Sequence, residues 1–141
     1  MGGLNMEAAE MEMTNPFAYS APIWQRFSAP FRAGRFADGT AGVVSGQAGT
    51  PAARSVLKLQ LQFVAGRVAD GRFQAYGCPT SIAVGAWLVE WAIGKSAAEL
   101  RGLSLAELRG TLEIADDRAH CAVMGEDAVL ALLSQYQESR I

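Results

Sequence analysis

The strongest pattern in the chain lies at VLKLQLQFV, residues 56–64, where Leu57, Leu59, Leu61 and Phe63 alternate with Lys58, Gln60 and Gln62. A period of two predicts a strand with one buried face and one wet face. Ala65-Gly66 supplies a turn, and RVADGRFQAY (67–76) reads as the antiparallel return strand, with Asp70-Gly71 suggesting a bulge inside it. Upstream, residues 33–53 are rich in Gly and Ala. Val43 and Val44 predict only a short strand there, because glycines weaken strand formation.

The remaining apolar positions follow helical spacing. Ile23, Trp24 and Phe27 predict a short amphipathic helix inside YSAPIWQRFSAPF (19–31), closed by Pro30. Pro79 suits the first position of a helix, which puts Cys78 at the cap. That helix runs through Ile82, Ala86, Val89 and Ile93 to Gly94 and is apolar nearly all round, so it should be central. Trp87 and Trp91, four apart on it, read as core. Ser96 and Ser104, each followed three residues later by a glutamate (Glu99, Glu107), predict two short helices opened by capping boxes. TLEIADDRAHC (111–121) reads as a loop. A last helix from about Cys121 to Gln137 carries Val129, Leu132, Leu133 and Tyr136 on one stripe, with Glu126 and Asp127 as first-turn acids favoured by the helix dipole. The sum is an α+β domain: a small three-stranded antiparallel sheet with helices packed on one face.

Composition narrows the function classes. With 141 residues and a net charge of −2, the chain suits one soluble domain with its own core. Nucleic acid is not an expected partner, since no basic patch stands out. Membrane is not expected either, since no apolar stretch has the roughly 18–20 residues of a span. The first residues lack a basic segment followed by an apolar one, so they do not read as a secretory signal. We expect a disordered leader over residues 1–15, a single domain over 16–141, and a cytosolic location. No phosphate loop and no supported nucleophile–base pair is present, which argues against an enzyme.

Two cysteines remain, and both fall at helix entrances: Cys78 before Pro79, and Cys121 at the head of the final helix beside His120, the one histidine of the chain. A helix N-terminus carries unpaired N–H groups and about half a positive charge, which favours thiolate over thiol. Cys78, His120 and Cys121 are also the residue types that bind zinc or iron–sulfur centres. Spacing alone does not identify a site, because the 42 residues between the cysteines match no short zinc-finger pattern.

Several separated motifs, in order, resemble the NifU/IscU family of iron–sulfur cluster scaffold proteins. They are Tyr76-Gly77-Cys78, Glu90-Trp91, Gly94-Lys95-Ser96, and His120-Cys121 with Glu126-Asp127-Ala128. YSAPIWQRFSAPFRAGRF is similar to the family's opening helix and KLQLQF to its second strand, so the likeness spans about Tyr19 to Gln137. The resemblance implies a scaffold fold and a site where three cysteines plus an aspartate or histidine hold zinc or a nascent [2Fe–2S] cluster. It also implies a cysteine desulfurase as sulfur donor. Cys78, His120 and Cys121 fall on three ligand positions, and Cys121 is the candidate persulfide acceptor.

The chain departs from the pattern where the family reads Gly-x-Pro-x-Cys-Gly-Asp. Here the stretch is Gly49-Thr50-Pro51-Ala52-Ala53-Arg54-Ser55, so Ala53 replaces a ligand cysteine, Arg54 a glycine and Ser55 a ligand aspartate. Arg54 cannot ligate. The Leu-Pro-Pro-Val-Lys segment that goes with an Hsp70-type chaperone is here Ala115-Asp116-Asp117-Arg118-Ala119, so delivery through such a chaperone is not implied. Closed zinc sites and [2Fe–2S] clusters normally take four ligands. Two roles stay open. In one, Cys78, Cys121 and His120 hold iron, zinc or a cluster, completed by a small thiol or by a homodimer sharing one cluster. In the other, a degenerate member docks a desulfurase or relays persulfide sulfur without building clusters.

Overall fold

A computed structural model describes residues 19–50, 52 and 54–139. The expected leader at 1–15 and the ligand-position change at Ala53 lie outside the described residues. The elements are α1 (Ala21–Ser28), β1 (Val43–Thr50), β2 (Ser55–Val64), β3 (Arg67–Tyr76), α2 (Pro79–Ala92), α3 (Ala97–Leu100), α4 (Leu105–Leu112), a 3-10 turn (Asp116–Arg118) and α5 (Ala119–Ser139). The strands form one antiparallel sheet in the order β1-β2-β3.

The alternation in β2 becomes its burial pattern. Leu57, Leu59 and Leu61 are buried, and Lys58, Gln60 and Gln62 face the other way. The β2–β3 turn places Ala65 and Gly66 at φ 52° and 80°, the left-handed pair of a tight hairpin. The bulge falls one residue earlier than the sequence suggested. Gln62 pairs with Asp70 and Phe63 with Val68, leaving Ala69 as the extra residue.

β1 is far longer than Val43 and Val44 predicted, and its glycines are the reason it was underrated. A Cβ at Gly46 would collide with the Ala128 carbonyl oxygen and the Leu132 amide nitrogen of α5. Gly46 is therefore where the helix backbone seats on the strand, a close approach and not a strand break. Gly85 plays the same part for α2, which crosses the ring of Phe73 there. The helix α2 is buried on nearly every side, as its composition required. Trp87 is core, while the half-buried Trp91 stacks on it at 5.8 Å and receives the Lys95 ammonium on its face.

Both predicted caps form. Ser96 and Glu99 make the full reciprocal box, whereas Ser104 accepts from the Glu107 N–H without the return contact among the described residues. The segment expected as a loop, 111–121, is mostly ordered backbone. It finishes α4, reverses at Glu113 (φ 52°), makes the 3-10 turn and enters α5 at Ala119. The earlier start moves Glu126 and Asp127 two turns into α5, so they are not first-turn acids. Ser20 caps α1 and donates to the Leu112 carbonyl, and Arg26 pairs with Glu90 at 3.1 Å, fixing α1 across the ends of α4 and α2.

Candidate functional site

The β3–α2 junction and the start of α5 deliver the two thiols to one place. Cys78 is the N-cap of α2, held extended (φ −78°, ψ 167°) between Gly77 and Pro79. Cys121 lies in the first turn of α5. Their sulfurs stand 3.8 Å apart. Cys78 is half-buried and Cys121 fully buried. Ser81, one turn into α2, closes the group: its Oγ is 3.5 Å from Cys121 Sγ and 3.8 Å from Cys78 Sγ.

The two helix ends do not act alike. Cys78 is lowered to about 4, first because the Cys121 thiol hydrogen-bonds to it. The Ser81 and Thr80 N–H groups and the Ser81 hydroxyl add to this, against the cost of burial. Cys121 is pushed up, chiefly by that same bond to Cys78 and then by burial. Two sulfurs this close disfavour ionising together, and the more accessible Cys78 is the one favoured as thiolate. The dipole argument from sequence treated both as thiolates and omitted their mutual repulsion.

Arg118, three residues before Cys121, was not singled out as a site residue by sequence. Its guanidinium is raised first by the nearby Cys78, and its carbon sits 5.4 Å from the Tyr19 ring centroid. Ser81 was also missed. A signal was present for both, since each lies three positions from a cysteine, the spacing that puts two side chains on one helical face.

The altered ligand stretch meets the site from the sheet. Thr50 pairs with Ser55 where β1 turns into β2. A Cβ at Gly77 would lie 3.1 Å from both Ser55 Oγ and Ser81 Oγ, so the Ser55 hydroxyl borders the residue before Cys78. Arg54 is exposed with φ 59°. The backbone keeps the left-handed turn that a glycine would take without strain, and the arginine holds it at about 1–2 kcal/mol. His120 does not join the sulfurs. It is exposed and lines a separate depression of about 310 Å³ with Gly49, Ser55, Val123, Met124 and Asp127. Among the described residues, no group of three or more His, Cys, Asp or Glu is placed to hold a metal.

A cavity of about 350 Å³ lies between α1, the start of α2 and the segment before α5, lined by Tyr19, Ser20, Ile23, Thr80, Glu113, Ala115, Asp117 and Arg118. Thr80 is fully buried and its hydroxyl has no hydrogen-bond partner. A buried unpaired hydroxyl costs about 1–3 kcal/mol.

An α+β domain that brings a thiolate and a thiol together at two helix ends is built for sulfur or soft-metal chemistry. The chain belongs to the family of NifU-like N terminal domains, whose model matches residues 18–141. It is 33% identical over 124 residues to the iron-sulfur cluster assembly scaffold protein IscU of Escherichia coli K12, covering 87% of this chain and 97% of that one. The corresponding IscU of Haemophilus influenzae is 30% identical over 121 residues, 85% and 96% of the two chains. Among solved structures, the N-terminal part of a nitrogen-fixing NifU-like protein from Brucella abortus superposes with a TM-score of 0.66 at 19% identity, covering 84% of this chain and 94% of that one. A SUF-system scaffold protein from Fervidobacterium islandicum gives 0.66 at 15% identity over 82% and 96%. At those identities the two structures speak for the fold alone. No helix of the described residues is long and apolar enough to cross a membrane.

Proposed function

We propose that this protein is a non-enzymatic iron–sulfur cluster assembly scaffold, handling iron and sulfide as cargo at the Cys78–Cys121 pair. The observation that carries the reading is the pair itself: two sulfurs 3.8 Å apart, one a half-exposed thiolate, with Arg118 and Ser81 against them. A thiolate is the form that binds metal. The names of the relatives, scaffold proteins at 30–33% identity, favour the same cargo. Sulfur would come from a cysteine desulfurase. With Cys121 fully buried, Cys78 is the sulfur that an incoming persulfide meets first. His120, exposed next to Cys121, stands apart from the sulfurs and would have to turn toward them to join as a ligand.

Among the described residues no third metal-binding side chain stands beside the sulfurs, and this favours a second reading. In it the chain docks a desulfurase or relays persulfide sulfur without building clusters. Anaerobic reconstitution with iron and sulfide, read by iron and acid-labile sulfide per chain and by the visible spectrum, separates the two. Near-stoichiometric iron and sulfide, lost in Cys78→Ser, supports the scaffold. A folded chain that retains no sulfide supports the second reading.

A further inference from the structure

We propose that the Cys78–Cys121 pair reduces the sulfur it receives: a persulfide placed on Cys78 is resolved by Cys121, leaving a disulfide and free hydrosulfide. The inference deepens the scaffold reading and rests on it for the delivery of a persulfide to this site. Three observations carry it. The Cys121 sulfur is in contact with Cys78 Sγ, at 3.8 Å. Access is one-sided, since Cys78 is half-buried and Cys121 fully buried. Ser81 Oγ lies 3.5 Å from Cys121 Sγ and 3.8 Å from Cys78 Sγ, so a hydroxyl, which does not compete for sulfur, holds the two side chains together.

The placement decides which sulfur of the persulfide is attacked. The inner one is Cys78 Sγ, the atom that Cys121 touches. In thiol–disulfide exchange the leaving sulfur departs opposite the attacking one. Cys121 occupies the buried side of Cys78, so the outer sulfur leaves toward the open side. The bond between Cys121 Sγ and Cys78 Sγ forms, and the bond from Cys78 Sγ to the outer sulfur breaks. The outer sulfur takes that electron pair and leaves as hydrosulfide, and the Cys121 thiol proton completes hydrogen sulfide. The outer sulfur is reduced to the sulfide state while the two thiols are oxidised to a disulfide. A dithiol reductant resets the pair. A persulfide carries sulfur more oxidised than the sulfide of a cluster, and the pair supplies the missing electrons once per reduction.

The test uses the full, reduced, metal-free chain, treated briefly with inorganic polysulfide, desalted, and followed by intact mass and by trapping of released sulfide. The natural chain should end lighter by two hydrogens, with one sulfide released for each sulfur it had taken up. Cys121→Ala should keep a sulfur atom on Cys78, with a lifetime at least about tenfold longer than in the natural chain. Cys121→Ser, checked for folding by circular dichroism, should behave as Cys121→Ala does. A natural chain that keeps the added sulfur, on Cys78 or moved to Cys121 by peptide mapping, overturns the inference whether or not the variants fold. Reconstitution of the reduced chain with iron and inorganic sulfide bypasses this step. Cluster retained there alongside a lasting persulfide sinks the inference and spares the scaffold. Sulfide release without any retained cluster does the reverse.

Discussion

Cys78 Sγ and Cys121 Sγ lie 3.8 Å apart although 43 positions separate them in the chain. One is half-exposed at a helix cap, the other sealed inside the first turn of α5. The pair is therefore asymmetric in access as well as in charge.

That asymmetry should show in thiol chemistry. Iodoacetamide at neutral pH is expected to modify Cys78 rapidly and to leave Cys121 unlabelled until the chain is denatured, as read by peptide mass mapping. Limited hydrogen peroxide should oxidise the Cys78 thiolate to a sulfenic acid. The Cys121 thiol then displaces its oxygen as water, leaving a disulfide and a chain lighter by two hydrogens. Equal labelling of both residues in the native chain would contradict the packing described.

The seat of α5 on β1 gives a second prediction. Gly46→Ala places a methyl against the backbone at Ala128 and Leu132, which cannot swing aside as a side chain would. The expected loss is about 1–3 kcal/mol or more, a fall of several degrees in Tm by thermal denaturation. Gly110→Ala, in a helix and with nothing near its added Cβ, is the control and should be neutral or stabilising. If the two variants melt alike, the helix does not sit where Gly46 requires it.

How much of this was legible in the sequence depends on the range of the physics involved. The β2 alternation, the all-apolar α2 and the Ser96 cap are decided by neighbours within a turn or a strand, and they could be read directly. β1 could not, because Gly46 and Gly49 argue against a strand locally while a helix 80 residues away demands the glycine. The approach of Cys78 to Cys121 came through family resemblance, since no spacing rule joins residues so far apart. The opposite charge states of the two sulfurs and the place of Arg118 depend on distances that only the fold supplies. His120 sits beside Cys121 and on a family ligand position, but its side chain is exposed at a separate depression, since neighbours on a helix send side chains in different directions.

Acid should weaken the β3 bulge through Asp70. Burial raises this carboxyl, but the Gly71 N–H, Arg72 and Arg32 outweigh it and hold it below the ordinary carboxylate value. The contacts are 2.8 Å from the Gly71 N–H, 2.9 Å from Arg72 and 3.4 Å from Arg32. A carboxyl lowered in the folded state contributes stability that is complete above its unfolded value, near 3.9, and is lost as pH falls through the folded one. Asp70→Asn should thus cost about 1–2 kcal/mol at pH 7 and show a shallower loss of stability in acid. Urea melts at pH 7 and pH 2.5 measure this, and a constant gap between the two chains at both pH values would rule Asp70 out as the acid-sensitive group.

The altered ligand stretch offers the last test. Ser55 Oγ borders the residue before Cys78, as the shared approach to Gly77 shows. A serine hydroxyl is a poor metal ligand while protonated, whereas an aspartate at the same backbone position brings an ionised oxygen suited to zinc. Ala53→Cys adds the thiolate that the family pattern carries. A structural zinc contributes roughly 10–16 kcal/mol through four ligands, so each restored ligand is worth several kcal/mol. Ser55→Asp combined with Ala53→Cys should tighten zinc binding by at least about a hundredfold over the natural chain, measured by competition with a chromogenic chelator. The double variant should also lose more Tm on adding chelator than the natural chain does, because metal affinity is folding free energy. The single Ser55→Asp variant should fall between the two. An unchanged affinity in all three chains would mean that the β1–β2 turn does not face the Cys78–Cys121 pair.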